Sequence, residues 1–272
     1  MSNQTLGGVL SEQQKKQFDE EGYLIVKGLL AEDVERIKDE FMRLHAAGPI
    51  PGCFNPLSEE EANGDILKLY PRMMHPHKVN EIAFEYMLHP KVMNILADLF
   101  GAEPLAAQSM FYFKPPGAKG QALHQDQFYL KVEPGTCIAA WTAVDPADEE
   151  NGGLFLVPRT NRFPIQCPHM ADPEVSFTKE EVEVPEGYEV VPARMEAGDV
   201  LFFNGSVIHG SFPNTSGERF RRAFICHYSD GLTSKIGKYY KPLYRYDGTD
   251  LTVDENEDAG PCGNEFQSSG AH

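Results

Sequence analysis

The chain has 272 residues, of which 41% are apolar, 24% charged and 11% aromatic, as expected for a globular protein that buries a sizeable core. Acidic residues outnumber basic residues by 41 to 24, which gives a net charge of −17. A chain this negative repels phosphate backbones and anionic lipid, so we expect neither nucleic acid nor a membrane surface as a partner. No apolar run approaches the ~20 residues that span a bilayer.

The N-terminus and the cysteines indicate a cytoplasmic protein. The first residues, MSNQTLGGVLSEQQKK, lack the charged and then apolar pattern of a signal peptide. The five cysteines are odd in number and widely scattered, which argues against a disulfide framework and against a zinc ribbon.

The N-terminal part, residues 1–105, is predicted to be mainly helical. Ser11 can cap a first helix that ends before Gly22, and residues 23–26 form a short apolar strand. Apolar residues at positions 34, 37, 41 and 44 recur at the spacing of one buried helix face, and two shorter helical stretches follow at 82–88 and 92–100.

From about residue 106 to 230, short β-rich runs alternate with turn residues, which predicts an antiparallel sandwich or barrel with the early helices packed outside. The predicted strands are 110–113, 124–130, 138–144, 154–157, 200–203 and 220–228. Residues 1–246 are therefore interpreted as a single domain. The acidic segment 247–272 is poor in apolar residues and is predicted to be a loosely held tail.

One triplet in the β-rich part carries possible metal ligands. His124 and Asp126 lie two positions apart in a strand-like run, so their side chains share one face. They could offer an imidazole and a carboxylate to one cation, or they could simply pair with each other. A turn at Gly198-Asp199 leads into a second apolar strand, which is followed by His209, and Arg221 comes twelve residues later.

These residues together indicate a non-haem iron site. Two histidines and one carboxylate on one face of Fe(II) leave three coordination positions open. The planar fork of an arginine suits the carboxylate of a cosubstrate. The metal hypothesis therefore depends on His124, Asp126, His209 and Arg221 coming together in the fold.

At these residues the sequence resembles the phytanoyl-CoA dioxygenase family of Fe(II)/2-oxoglutarate-dependent oxygenases. The motifs that carry the resemblance extend over most of the chain: GYLIVKGLL at 22–30, KPP at 114–116, LHQD at 123–126, AW at 140–141, NGGL at 151–154, GDVLFF at 198–203, HGS at 209–211 and RRA at 221–223. The resemblance implies a double-stranded β-helix, also called a jelly roll or cupin-like fold, which agrees with the β-rich pattern.

The resemblance also implies a role for each matching position. His124, Asp126 and His209 match the iron ligands, and Arg221 matches the anchor of 2-oxoglutarate. Arg222 remains an alternative anchor, because the distance from His209 to Arg221 is one residue longer than expected. Ser211 matches a residue that helps to hold the same carboxylate. Positions lining the cosubstrate pocket are matched by Met110, Tyr112 and Trp141, and two glutamines are expected to face the primary substrate, Gln108 and Gln127.

Other candidate residues favour structural roles. His75 and His77 are close in sequence, but the proline between them and the lack of a following glutamate argue against a metal site. His227 is interpreted as a packed or hydrogen-bonded strand residue, and Cys226 as a small buried one. After the NGGL motif, residues 158–161 read PRTN where many relatives read PGSH, a departure that concerns the substrate pocket.

The function implied is that of a dioxygenase that uses Fe(II), 2-oxoglutarate and O2. It would hydroxylate or otherwise oxidise an unactivated C–H bond of a small metabolite while converting 2-oxoglutarate to succinate and CO2. Because Asp126 is present, the resemblance favours oxidation over halogenation. Two alternatives stay open, a non-catalytic binding module and an epimerase or ring-forming oxidase with the same iron site. The acidic composition favours a neutral or cationic substrate over an acyl-CoA.

Overall fold

A computed structural model describes residues 6–258 and 260–262. In this part of the chain the helices are α1 (Glu12–Glu21), α2 (Val34–Ala47), α3 (Glu59–Ala62), α4 (Ile66–Leu69), α5 (Glu81–Met87), α6 (Pro90–Phe100) and α7 (Asp126–Leu130). Short 3₁₀ turns lie at Pro76–Lys78 and Lys238–Tyr240. None of the helices described is long and apolar enough to cross a membrane.

Most of the strands described form two principal antiparallel sheets, and the others form two separate pairs. They are β1 (Tyr23–Val26), β2 (Met73–Met74), β3 (Pro104–Tyr112), β4 (Gln121–His124), β5 (Ile138–Ala143), β6 (Leu154–Val157), β7 (His169–Met170), β8 (Glu180–Glu181), β9 (Val191–Pro192), β10 (Val200–Asn204), β11 (Ile208–Ser211), β12 (Ala223–Asp230), β13 (Lys235–Ile236), β14 (Leu243–Tyr244), β15 (Asp250–Leu251) and β16 (Asp254–Glu255). The major sheet has the order β1-β10-β5-β12-β3-β14-β15, with β2 beside β3, and the minor sheet has the order β4-β11-β6-β9. The separate pairs are β7-β8 and β13-β16.

The two sheets form the double-stranded β-helix, so the predicted fold class is confirmed. Residues of the major sheet alternate between its faces, as the period of two requires. Met110 and Ile225 belong to an apolar cluster shared with Leu154 and Leu156 of the minor sheet. Their neighbours Phe111 and Phe224 pack instead against the helices. The interior between the sheets is therefore separate from the helical layer.

The N-terminal helices cover the outer face of the major sheet, as predicted. Helix α1 begins with a capping box, because the Ser11 side chain accepts from the Gln14 amide while the Gln14 side chain accepts from the Ser11 amide. Helix α2 buries Ile37 and Phe41 completely, and the Phe41 ring stacks on Phe111 with centroids 4.0 Å apart. Burial of each such side chain stabilises the fold by about 1.5–3 kcal/mol.

The prediction of one strand over residues 124–130 is wrong. Strand β4 ends at His124, Gln125 is extended with φ −125° and ψ 122°, and helix α7 begins at Asp126. The run of apolar residues after Asp126 is short, and such runs do not distinguish a strand from a buried helical turn. Tyr129 and Leu130 pack in a separate apolar cluster with Ile236.

The C-terminal segment also differs from its prediction as a loose tail. Strand β15 pairs with β14, β16 pairs with β13, and Asn256 donates from Nδ2 to the Lys131 carbonyl at 2.9 Å. Residues 259 and 263–272 of the predicted tail lie outside the described part. The structure also joins Cys167 and Cys262 in a disulfide, contrary to the argument from scattered cysteines. The two cysteines are 95 residues apart in the sequence, and only the fold brings them together, so their spacing does not predict the bond.

Candidate active site

Pairing of two short strands brings the two candidate histidines together. His209 of β11 lies directly opposite His124 of β4, and the ring centroids are 4.1 Å apart. Asp126 follows two residues later at the start of α7, and the extended backbone of Gln125 turns its carboxylate towards both rings. Its Oδ1 lies 3.6 Å from Nε2 of each histidine. The three side chains predicted as ligands are thus adjacent and buried.

Backbone carbonyls orient both imidazoles. Nδ1 of His124 lies 2.8 Å from the Ala122 carbonyl, and Nδ1 of His209 lies 2.9 Å from the Val207 carbonyl. A carbonyl only accepts, so each Nδ1 carries the proton and donates it. This tautomer leaves the lone pair on Nε2, the atom that faces Asp126, which is how metal-binding histidines are commonly oriented.

The protonation states favour a bound cation. Burial lowers the pKa of His124 to about 3, and burial also lowers the pKa of His209, so both rings are neutral at pH 7. Burial alone would raise the pKa of Asp126, but His209, His227 and His124 together hold it below its usual range. Two neutral imidazoles beside an ionised carboxylate are the forms that coordinate a metal ion.

The donor set fits ferrous iron. One possible ligand atom from each of His124, Asp126 and His209 lies within 4.8 Å of the others, and all three residues are buried. Two imidazole nitrogens and one carboxylate oxygen on one side of a metal are typical of the non-haem Fe(II) oxygenases. This was the only such cluster of metal-binding side chains found among the residues described.

A third histidine, which was not anticipated as functional, contacts the other oxygen of the Asp126 carboxylate. His227 of β12 is buried, and its Nε2 lies 2.9 Å from Oδ2 of Asp126. An ionised carboxylate accepts, so this Nε2 carries a proton and donates. Oδ1 then stays directed at the two histidines. The sequence offered one signal for this contact. His227 and Arg221 lie an even number of positions apart in one β-rich run, so their side chains are expected on the same face.

A cavity of about 40 Å³ adjoins the three candidate ligands between the two sheets. Its lining includes all five residues predicted for the cosubstrate pocket, namely Met110, Tyr112, Trp141, Ser211 and Arg221. The expected iron ligands and the expected 2-oxoglutarate anchor therefore line one cavity.

The structure distinguishes the two neighbouring arginines. Arg221 is 2% exposed, donates from Nε to the Gly152 carbonyl at 2.9 Å and lies 5.3 Å from the Trp141 ring centroid. Arg222 points away and forms a two-pronged ion pair with Asp145 at 2.7 and 2.8 Å. Burial lowers the pKa of Arg221 to about 10, so this guanidinium remains charged at neutral pH. Arg221 is the one that faces the cavity.

A buried lysine beside Arg221 was missed by the sequence reasoning, although it belongs to the KPP motif. Lys114 is 3% exposed, and its Nζ lies 2.8 Å from Oγ of Ser211. Burial, and then the nearby Arg221, hold the pKa of Lys114 well below the usual value of a lysine. Gly152 makes room for it, because a Cβ at that position would lie 2.5 Å from Cε of Lys114. The first glycine of the NGGL motif is thus explained by close packing.

Both glutamines expected at the substrate lie elsewhere. Gln127 donates from Nε2 to the Val132 carbonyl at 2.8 Å and accepts from the Cys137 amide at 3.3 Å, so it braces the turn between α7 and β5. Gln108 is fully buried on β3 opposite His227 of β12 and outside the cavity lining. Neither glutamine lines the cavity beside the three candidate ligands, and the placement of Gln127 is explained by its contacts within the turn.

The PRTN segment that departs from the family pattern has a structural role. The Thr160 hydroxyl donates to the Val157 carbonyl at 2.7 Å and accepts from the Ile208 amide at 2.9 Å, so it ties β6 to β11. The Arg159 guanidinium lies over the Tyr188 ring, 5.8 Å from its centroid. Neither residue lines the cavity beside the three candidate ligands.

Comparison with known proteins agrees with this geometry. The sequence model of the phytanoyl-CoA dioxygenase (PhyH) family matches residues 18–223. Peroxisomal phytanoyl-CoA dioxygenase of Bos taurus is 30% identical over 237 residues, covering 82% of this chain and 69% of the relative. Phytanoyl-CoA dioxygenase domain-containing protein 1 of Danio rerio is 27% identical, covering 76% of this chain and 86% of the relative.

Solved structures share the fold at lower identity. The epimerase SnoN in complex with Fe3+, alpha ketoglutarate and nogalamycin RO has a TM-score of 0.67 at 20% identity, covering 82% of this chain and 84% of SnoN. EctD from S. alaskensis with 2-oxoglutarate and 5-hydroxyectoine has a TM-score of 0.64 at 19% identity, covering 84% of this chain and 79% of EctD.

The fold, the three buried metal-binding side chains and the family match together define an Fe(II)/2-oxoglutarate-dependent dioxygenase. Within that class, the chain belongs to the phytanoyl-CoA dioxygenase family.

Proposed function

We propose that this dioxygenase hydroxylates an unactivated C–H bond of a small metabolite. His124, Asp126 and His209 would hold Fe(II), and Arg221 would bind the distal carboxylate of 2-oxoglutarate. The observation that carries the proposal is the shared cavity, which places three buried metal-binding side chains and one buried arginine around a single space. The net charge of −17 supports a small-molecule substrate over nucleic acid.

When bound, iron and 2-oxoglutarate supply the oxidising chemistry, in which O2 is consumed as 2-oxoglutarate is decarboxylated to succinate and CO2. The contribution of the chain is to bind and orient. His124 and His209 present Nε2 because their Nδ1 protons are held by backbone carbonyls. Asp126 presents Oδ1 because His227 holds Oδ2. None of these four groups has to reorient when the metal binds, so the site is preorganised.

The other polar groups in the cavity suit a carboxylate. Arg221 is held by the Gly152 carbonyl and by the faces of Trp141 and Tyr112, which fix the plane of its guanidinium. Ser211 lies within hydrogen-bond distance of Nζ of Lys114, so the hydroxyl that would contact the same carboxylate is held in position. A guanidinium that is buried like that of Arg221 loses hydration, and an anionic ligand restores the lost stabilisation.

An anaerobic titration tests the iron and cosubstrate sites directly. We expect the metal-to-ligand charge-transfer absorption of the Fe(II)–2-oxoglutarate chelate in the wild type and its loss in Asp126→Ala and His124→Ala. His169→Ala is the matched control, because His169 is exposed on β7 and outside the site. An unaltered band in Asp126→Ala would remove this residue from the ligand set.

The reaction type is tested with labelled oxygen once a substrate screen yields a product. Hydroxylation places one atom of ¹⁸O₂ in the product and the other in succinate, with one succinate formed per product. A product that forms with succinate but carries no label would replace hydroxylation by epimerisation or ring closure at the same site.

A further inference from the structure

A groove opens beside the iron cavity and shares Tyr112 with it. The groove has a volume of about 370 Å³, which is within the usual size range of small-molecule sites. Most of its lining residues are basic or aromatic: Arg72, Lys114, Lys119, Lys179, Tyr70, Tyr112, Phe113 and Phe177. Glu180 is the acidic residue in this lining. In a chain with 41 acidic and 24 basic residues, a basic lining is a local reversal of charge.

Arginines elsewhere in the described chain are mostly neutralised. Seven of them have a carboxylate oxygen within 4.0 Å: Arg36, Arg43, Arg162, Arg194, Arg219, Arg222 and Arg245. Of the other three, Arg159 lies over the Tyr188 ring, Arg221 faces the iron cavity and Arg72 lines the groove. No carboxylate among residues 6–258 and 260–262 pairs with Arg72 in this way. An arginine without a counter-ion in a concave, half-buried position is suited to an anionic ligand.

Arg72 is held in place by a neutral partner. Its Nη1 donates to the Tyr112 hydroxyl at 3.0 Å, and its guanidinium carbon lies 5.9 Å from the centroid of the same ring. This contact orients the Arg72 guanidinium without neutralising its charge. Tyr112 also lines the iron cavity, so the charge of Arg72 is located where the groove meets that cavity.

We propose that the groove binds the carboxylate group of the primary substrate, an organic anion with an apolar or aromatic body. Arg72 makes the charge-assisted hydrogen bonds, the aromatic side chains cover the body, and Lys119 and Lys179 attract the anion from solvent. This inference rests on the proposed function, because it takes the iron cavity as the place of reaction. It reverses the substrate preference expected from the net charge, since the local charge at the groove is positive.

The test uses two probes that differ only in charge, 4-phenylbutyrate and 4-phenylbutyramide. Each is titrated calorimetrically into the anaerobic protein loaded with Fe(II) and saturating 2-oxoglutarate, after the charge-transfer band has been recorded. We expect the carboxylate to bind at least about tenfold more tightly than the amide, as one charge-assisted contact in a half-buried site provides. Arg72→Gln should bring this ratio to about one and leave the affinity for 2-oxoglutarate unchanged.

Two further variants separate a local contact from a general effect of charge. Lys179→Gln should lower the ratio by only about twofold, because an exposed cation acts through screened attraction. Arg36→Gln removes the same charge from an ion pair with Glu85 outside the groove and should leave the ratio as in the wild type.

The outcomes distinguish the anion site from the proposed function. Equal affinity for both probes, or no measurable binding of the carboxylate while the charge-transfer band is present, overturns the anion site alone. A loss of 2-oxoglutarate affinity in Arg72→Gln with an unchanged probe ratio also overturns it, because Arg72 would then serve the cosubstrate. Absence of the band in the folded wild type overturns the proposed function and this inference together.

Discussion

His227 provides the sharpest test of how this site is built. The change is His227→Leu, which keeps a buried apolar volume but removes the proton donor to Asp126. In the structure, both residues are 2% exposed and the hydrogen bond measures 2.9 Å. After the change, Oδ2 of Asp126 loses its donor and the carboxylate can rotate away from the position that presents Oδ1.

The expected magnitude follows from the type of contact. A hydrogen bond to an ionised, buried carboxylate contributes about 1.5–3 kcal/mol, which is on the order of 10–100-fold in an equilibrium constant. Losing a residue that orients a metal ligand typically costs the same range, about 10–100-fold in metal affinity. We therefore expect the dissociation constant of the bound metal to rise by about 10–100-fold in His227→Leu.

The assay is calorimetric titration with Mn(II), a redox-stable substitute for Fe(II), in the presence of 2-oxoglutarate. His227→Gln, which keeps an N–H donor, should recover part of the affinity. The matched control is His45→Gln, because His45 is a half-buried histidine of α2 whose Nε2 contacts the Leu69 carbonyl outside the site. Unchanged affinity in His227→Leu, or an equal loss in His45→Gln, would refute the reasoning.

Three further predictions concern the cosubstrate, acid stability and packing. Arg221→Gln should weaken 2-oxoglutarate binding by about 100-fold. Arg222→Gln should leave this binding unchanged and lower the free energy of unfolding by about 1 kcal/mol at most. Equal effects of the two variants on binding would contradict the assignment of Arg221 as the anchor. Burial lowers the pKa of His77 to about 3, so below pH 6.5 the unfolded chain takes up a proton that the folded chain excludes, and the free energy of unfolding falls as the pH falls towards 3. His77→Gln should reduce that slope by about 1.4 kcal/mol per pH unit in urea unfolding, and an unchanged slope would show that His77 is protonated while folded. Gly210→Ala would place a Cβ 2.7 Å from the Phe155 ring, so we expect thermal unfolding to show a loss of about 1–3 kcal/mol, and an unaltered melting temperature would contradict this clash.

Much of the fold follows from local patterns. The capping box at Ser11 and the left-handed conformation of Gly22 define the two ends of α1. Ser11 accepts a hydrogen bond from the first turn, and the amide of Gly22 donates to the Phe18 carbonyl of the last turn. The apolar face of α2 and the apolar run of β10 likewise depend on near neighbours. Patterns of this kind are visible in the sequence because the interactions that produce them are short-range.

The iron ligands were also accessible from sequence, through the resemblance, even though the local structure was predicted wrongly. The HxD triplet spans the end of β4 and the start of α7, where a continuous strand was expected. His124 and Asp126 still share one side because Gln125 between them is extended. The spacing of the pair therefore determined its geometry more strongly than the type of element that contains it.

Other features were decided only by the tertiary structure. Arg221 and Arg222 are adjacent and chemically identical, and only the ion pair between Arg222 and Asp145 shows which of them faces the cavity. The burial of Lys114 becomes visible only once the fold brings Ser211, 97 residues away, beside its Nζ.

The sequence by itself thus determined, through the family resemblance, the class of the enzyme and the candidate metal ligands, and its β-rich runs determined the β-sheet core. The tertiary structure decided which polar and charged groups lie close together. It brings His227 to Asp126, 101 residues apart in the sequence, and it places Arg72 in a basic groove of an acidic chain. The physical reason is that spacing along the chain specifies short-range geometry, whereas the energy of a buried charge depends on partners that only folding brings close.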